Sequence, residues 1–254
     1  TYSVSGSDQY GNPMSSAETL GSVTVDRTDP VISFTSALPT TVNSTTPSVT
    51  VKFSVSETPQ SNPVVKLGTT KQLDTPSSIS GLAYTYVFSD LSGISDGEKT
   101  VNISLKDTKG NPASGDYAGP VFDRTLPTVM NSFASPVVVN GSNDLFYINI
   151  TFSEKMQAMV NGDITVSPSG ILPSPVCGNP SGDLQTFRCG YNIAGMNVDE
   201  TYTFSVTADD TAWNRISPDP VEVATLEIDR TDPSSLLTSL TVYDQGTATI
   251  KNSA

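Results

Sequence analysis

Apolar and polar residues alternate with a period of two along most of this chain. Val49, Val51, Phe53 and Val55 share one face of a run that ends at Glu57. Phe146, Ile148, Ile150 and Phe152 repeat that run and end at Glu154. Such alternation predicts strands with one buried face. A second kind of run leads into a turn. Val101, Ile103 and Leu105 run into Asp107-Thr108-Lys109-Gly110-Asn111-Pro112, and Phe204, Val206 and Ala208 into Asp210-Thr211-Ala212-Trp213-Asn214. Tyr2 and Val4 run into Asp8-Gln9-Tyr10-Gly11-Asn12-Pro13. A strand followed by an Asp-x-x-x-Asn turn thus occurs three times. Gly and Asn tolerate the positive φ of tight turns, and Pro blocks continuation. No stretch sustains a helical period, and only Met156 to Val160 predicts a single helical turn.

The units are further marked by three near-copies of one phrase: Asp26-Arg27-Thr28-Asp29-Pro30, Asp123-Arg124-Thr125-Leu126-Pro127 and Asp229-Arg230-Thr231-Asp232-Pro233. The steps between them are 97 and 106 residues. A period near 100 residues is that of a β-sandwich array and too long for a helical solenoid. A short strand precedes each phrase, at Val23–Val25, Pro120–Phe122 and Ala224–Ile228. About seven strands per unit suit a two-sheet Greek key. The expected fold is all-β: tandem immunoglobulin-like Greek-key β-sandwich domains. The expected division is 1–26 as closing strands of a preceding repeat, 27–124 and 125–230 as full repeats, and 231–254 as the start of another. In that last stretch Leu240, Val242 and Ile250 predict two strands. The chain reads as a segment of a longer protein.

Composition narrows the function. A net charge of −13 and a pI near 4.2 argue against nucleic acid or anionic membrane as a partner and favour multivalent cations. Only 15 % of residues are charged, a balance of secreted β proteins. No apolar run approaches the length of a membrane helix, so no direct membrane contact is expected from this segment. The chain has no histidine, which removes the usual catalytic triads and most zinc sites. No phosphate-cradling or dinucleotide-binding glycine motif is present, so no enzyme is expected. The two cysteines, Cys177 and Cys189, share a Gly/Pro-rich stretch and lack the CxxC spacing of metal or redox sites. A local disulfide in an oxidising compartment is the favoured reading, and two free thiols the alternative.

Asp199-Glu200-Thr201-Tyr202-Thr203-Phe204-Ser205-Val206-Thr207-Ala208-Asp209-Asp210-Thr211-Ala212-Trp213-Asn214 resembles the penultimate-strand signature of bacterial immunoglobulin-like (Big-type) repeats, G-T-Y-T-V-T-V-T-A-T-D-x-A-G-N. Phe152-Ser153-Glu154 and Gly162-Asp163-Ile164-Thr165-Val166 are similar to their F-S-E-P-V and D-I-T-V elements, and Asp-Arg-Thr-Asp-Pro to their D-T-T-A-P junction. The resemblance implies a tandem repeat of a large surface adhesin or biofilm protein, at the cell surface or outside the cell. The chain departs from the pattern in the junction arginine, in Trp213 where the family prefers Gly, and in its cysteine pair.

In an immunoglobulin topology the entering phrase, the loop after the second strand and the loop between the last two strands meet at one end of the sandwich. That places Asp26, Asp29, Glu57 and Asp107 together in one repeat, and Asp123, Glu154, Asp209 and Asp210 in the next. Asp229 and Asp232 open a third such set. Oxygen-rich clusters of this kind suit calcium; the alternative is that Asp and Asn cap turns through their own side chains. Asp96 or Glu98 is a further candidate contributor at the second phrase. Arg27, Arg124 and Arg230 are candidates for pairing across junctions, or else solvated side chains. Trp213 is read as packing at a junction, with a sugar-stacking platform as its alternative. Asn43, Asn102, Asn140 and Asn149 begin glycosylation sequons. The partners expected are neighbouring repeats, with other protein subunits or surface glycans beside them. The function expected is a structural spacer of an exported adhesin or filament. The alternatives are a protein- or glycan-binding module using the stretch 172–191, a fibre subunit joined by strand exchange, and a region accessory to a secreted enzyme.

Overall fold

Alternation becomes a strand wherever the apolar face finds a partner sheet. The computed structural model describes residues 1–230, and those residues carry eighteen strands and one short 3₁₀ turn. The strands expected at 231–254, and Asp232, lie outside the described residues. The chain divides into two compact units, Thr1–Thr125 and a second beginning at Leu126.

The first unit opens with a hairpin of β1 (Tyr2–Val4) and β2 (Glu18–Gly21), whose apolar side chains Tyr2, Val4 and Leu20 are exposed. Nine strands follow: β3 (Ile32–Leu38), β4 (Thr41–Val42), β5 (Val49–Val55), β6 (Val64–Leu67), β7 (Lys71–Leu73), β8 (Ser78–Ser80), β9 (Ala83–Phe88), β10 (Gly97–Lys106) and β11 (Pro112–Phe122). They form two sheets, ordered β3-β5-β9-β8 and β4-β11-β10-β6-β7. Neighbours are antiparallel except β4 and β11, which run parallel. This is the immunoglobulin arrangement, with the tail of the first strand crossing to the opposite sheet. Phe53 stacks on Tyr84 and Tyr86 at 5.5 and 5.8 Å between ring centres, and Val51, Val65, Val101 and Ile103 are fully buried around them.

The described residues of the second unit carry seven strands: β12 (Val129–Ser135), β13 (Leu145–Phe152), β14 (Ile164–Ser167), β15 (Val176–Gly178), β16 (Thr186–Asn192), β17 (Asp199–Val206) and β18 (Val221–Asp229). The sheets are β12-β13-β16-β15 and β14-β17-β18. A single parallel bridge, Val139 to Ile228, stands where β4 meets β11 in the first unit. Phe146 stacks on Tyr191 at 4.9 Å, and Phe204 meets both rings edge-on.

Three expectations change. The stretch 172–191 is not a long loop. Phe187, Cys189 and Tyr191 are buried on alternate positions of β16, which pairs along its whole length with β13. β11 is one continuous strand rather than a short closing piece at 120–122. Its Tyr117 stacks on Phe34 at 4.6 Å and carries the pairing through a polar sequence. The single helical turn is a 3₁₀ turn at Asn161–Asp163, where the Asp163 carboxylate accepts the Val160 amide.

Candidate metal centre

Glu57 follows directly on β5, and its neighbour Ser56 fixes where it points. The Ser56 hydroxyl accepts the Val31 amide (2.9 Å), and the Ser56 amide donates to the Val31 carbonyl (3.0 Å). The β5–β6 loop then lies against the β10–β11 turn. Pro59 bridges to Asp107, and the Gln60 amide donates to the Lys106 carbonyl (2.8 Å). The turn itself is closed by side chains. One Asp107 carboxylate oxygen accepts the amides of Lys109 (2.7 Å) and Asn111 (2.9 Å), and the other accepts the Asn111 side-chain amide (2.7 Å). That same Asn111 amide reaches the Asp26 carbonyl (3.4 Å), tying the entering segment to the turn.

The result is a trio. Oxygens of Asp26, Glu57 and Asp107 lie within 4.8 Å of one another, with Asp107 buried and the other two half-buried. Asp29 is exposed, yet close enough to act on Glu57. Burial, then repulsion from Asp107, Asp26 and Asp29, raises the Glu57 pKa above the usual carboxylate range. Burial also pushes Asp107 up, but the hydrogen bonds from Asn111 and Lys109 outweigh it and hold its pKa low. One carboxylate is thus fixed as an anion while its neighbour resists ionising. Two oxygens on one Ca²⁺ at about 2.4 Å each are at most about 4.8 Å apart, so the trio fits the span of a single ion. The Asp107 oxygen that accepts only the Asn111 side chain retains a lone pair, and the remainder of a six- to eight-fold shell falls to carbonyls and water.

The second unit repeats the local design. Ser153 exchanges the same two hydrogen bonds with Thr128 (2.9 and 3.0 Å), placing Glu154 as Ser56 places Glu57. Asp210 accepts the Ala212 and Asn214 amides and the Asn214 side chain (2.7–2.8 Å), and Met156 bridges to it. Oxygens of Glu154 and Asp210 lie within 4.8 Å. Asp8 closes the first copy of the turn in the same way, with its pKa lowered by Asn12. Turn-capping and a cation site are therefore not exclusive: the capping bonds orient the very carboxylates that converge.

Other candidates are placed differently. Asp209 does not join the second set. Its carboxylate is held by the Arg215 guanidinium at 2.6 and 3.2 Å, because the bridge between those residues sets them side by side across the turn. Asp229 is exposed at the end of β18. Asp96 is taken by the Arg124 amide (3.0 Å) and the Thr125 hydroxyl (2.6 Å).

Two of the phrase arginines bond within the unit that they end. The Arg124 guanidinium donates to the Leu91 carbonyl (3.1 Å), in the loop after β9. Arg230 donates to the carbonyls of Asn143 (2.6 Å) and Ile193 (3.3 Å) and pairs with Asp144 (3.1 Å), with a side chain only 9 % exposed. Its amide donates to Asp199, as that of Arg124 does to Asp96. The phrase is thus a latch across the end of the sandwich that it leaves. Arg27 is exposed. Trp213 stands in the β17–β18 turn at φ +68°.

Cys177 and Cys189 face each other across β15 and β16 and form a disulfide. This is an in-sheet link, unlike the inter-sheet bridge of antibody domains. Of the sequon asparagines, Asn43 caps a turn through Thr45 and Thr46, and Asn102 donates to Asp116 (2.7 Å). Asn140 caps a turn at Ser142, and Asn149 is half-buried on β13. The serines and asparagines that aim the acidic residues, Ser56, Ser153, Asn111 and Asn214, were not singled out from sequence as part of a site. Their signal was recurrence at a fixed offset from Glu and Asp.

Two immunoglobulin-like sandwiches in tandem are the class of protein this fold defines. No protein-family model and no curated protein matches the chain. Among solved structures, it is similar to one concerned with host cell surface retention of a 1.5-MDa bacterial ice-binding adhesin. Identity is 17 % over 90 % of this chain and 74 % of that one, with a TM-score of 0.41. It is similar to a Ca²⁺-stabilized adhesin with which an Antarctic bacterium reaches out and binds ice (13 % identity, 90 % and 55 % covered, TM-score 0.45). A tetra-tandem repeat from the extending region of a large adhesion protein is a third (19 % identity, 89 % and 55 % covered, TM-score 0.34). The chain spans about half the length of the last two. Likeness of this degree carries no functional argument.

Proposed function

We propose that the chain is a spacer segment of an exported cell-surface adhesin, stiffened by calcium where the chain enters each sandwich. The observation that carries the reading is the trio of Asp26, Glu57 and Asp107, in which the entering segment, the β5–β6 loop and the β10–β11 turn each contribute one carboxylate. A cation held there ties the entering segment to the body of the sandwich and relieves the repulsion that raises the Glu57 pKa. Glu154 and Asp210 are the corresponding pair in the second unit. The disulfide suits an oxidising compartment. Repeating units of one fold suit reach and display rather than chemistry.

Small-angle scattering and a thermal melt of residues 1–254, at about 1 mM Ca²⁺ and then in chelator, test this at the affinities of extracellular calcium modules. The expected result is a stiffer particle and a higher Tm with calcium, both lost in the Asp26→Ala/Glu57→Ala variant. Identical profiles with and without the ion would refute the reading and leave the acidic residues as turn caps alone.

A further inference from the structure

The outward face of the first unit changes character along β10 and β11. Val65, Ile103 and Leu105 are buried, so Val64, Ser104 and Lys106 fall on the opposite face. Asn102 and Asp116 face each other across the two strands and bond directly (2.7 Å). One step along, Ser104 faces Ser114 on one side and Val64 on the other, and Lys106 then faces Pro112. These rows floor a groove of about 440 Å³, walled by Gln60, Ser61 and Asn62 of the β5–β6 loop. That volume is in the range of small-molecule sites.

The wall is held at both ends. Pro59 bridges to Asp107, and the Gln60 amide donates to the Lys106 carbonyl (2.8 Å). At the far end the buried Tyr86 hydroxyl donates to the Pro63 carbonyl. Between these anchors the polar side chains are uncommitted. Those of Gln60, Ser61, Asn62, Ser104 and Ser114 make no hydrogen bond to any described residue. The Lys106 ammonium forms no ion pair among the described residues, whereas Lys71 pairs with Asp90 at 2.6 Å. Amides and hydroxyls that both donate and accept match the hydroxyls of a sugar. Val64, Ala113 and Pro112 offer apolar surface to its C–H groups. No acidic residue lines the groove, so its one ammonium makes it locally positive in a chain of net charge −13. A charge-assisted bond to a single carboxylate answers it. A peptide fits less well. β10 is paired on both sides, so it offers no open strand edge, and no aromatic side chain lines the groove as an anchor pocket.

We propose that this groove binds an acidic saccharide, with Lys106 on the carboxylate of a uronic acid and Gln60, Asn62, Ser104 and Ser114 on its hydroxyls. The site goes beyond the spacer reading and uses none of the calcium trio. The test is an amide NMR titration of residues 1–254 in buffer freed of divalent cations by resin, since a soluble chelator is itself a carboxylate. The probes are tri-galacturonate and a hyaluronan tetrasaccharide, with maltotriose and acetate as comparisons. At least one acidic probe is expected to give saturable shifts confined to residues 59–64, 104–107 and 112–115. It should bind about tenfold tighter than maltotriose or acetate. Lys106→Gln should weaken it roughly fivefold with Tm held within about 2 °C, because the side chain is exposed. Lys106→Arg keeps the charge and should retain binding, and Ser104→Val/Ser114→Val should weaken it. Silence from both acidic probes, shifts centred outside the groove, maltotriose or acetate binding as tightly, or unchanged affinity in Lys106→Gln would overturn the proposal.

Discussion

Replacing Arg230 by alanine should destabilise the second unit severely. The side chain is 9 % exposed and donates to two carbonyls, those of Asn143 at 2.6 Å and Ile193 at 3.3 Å. Hydrogen bonds from a charged donor contribute about 1.5–3 kcal/mol each, and stranding a buried acceptor costs about 1–3 kcal/mol. The pair with Asp144 adds under about 1 kcal/mol, because that carboxylate is 65 % exposed and screened. The contributions overlap, so a loss of about 3 kcal/mol is a fair total. For a domain of about 100 residues, that is a fall in Tm of roughly 12–24 °C. Trp213 lies in the same unit, so a melt followed by tryptophan emission isolates the affected transition. Arg230→Lys keeps the charge but not the planar fork, and should recover less than half the loss. The difference from the parent should persist in about 0.5 M salt, since carbonyl bonds and not the ion pair carry it. A fall below about 4 °C for Arg230→Ala, or one that salt abolishes, would refute the latch.

Glu57→Gln should raise the Tm of the first unit in chelator and reduce its gain from calcium. The folded-state pKa of Glu57 lies above its unfolded value, so this residue's penalty is absent below about pH 4.5 and grows as pH rises through the folded value. Calcium-free stability that the Glu57→Gln change leaves unaltered at pH 7 would contradict this. The double change Cys177→Ala/Cys189→Ala releases the loop that the disulfide closes and should cost about 3 kcal/mol, read from urea unfolding of the second unit. A cost near zero would mean that β15 and β16 pair as firmly without it. The Asp183 carboxyl, held by the Thr186 and Gln185 amides that lead into β16, has its pKa lowered to about 2. Its contribution is present above its unfolded pKa near 3.8 and is lost as pH falls toward about 2. An NMR titration with a midpoint near the ordinary aspartate value would disprove that hold.

Alternation made β5, β13, β10 and β17 readable, because the buried positions of each are all apolar. β16 was hidden: Phe187, Cys189 and Tyr191 alternate, but Arg188, Gly190 and the surrounding prolines mimic a loop. Its identity rests on pairing with β13, a contact roughly 40 residues away that no local pattern encodes. Convergence at the sandwich end followed from topology alone. What did not follow was each side chain's nearest competitor. Asp209 meets Arg215 because of a bridge, Asp96 meets the Arg124 amide, and the arginines find carbonyls, acceptors that every residue carries and no sequence marks.

The latch phrase is bilingual. In one copy the arginine, Arg124, completes the sandwich that precedes it in the chain, and in another the first aspartate, Asp26, serves the sandwich that follows. A protein written this way has its grammar at the seams. Recombination between two such phrases, at the same point in each, deletes or duplicates a block of about 100 residues and leaves one complete phrase behind. Every retained sandwich then still has its closing arginine and its opening acid. A break at unmatched points orphans one of them. Length can therefore drift by whole repeats over generations while each surviving unit inherits an intact pair of ends.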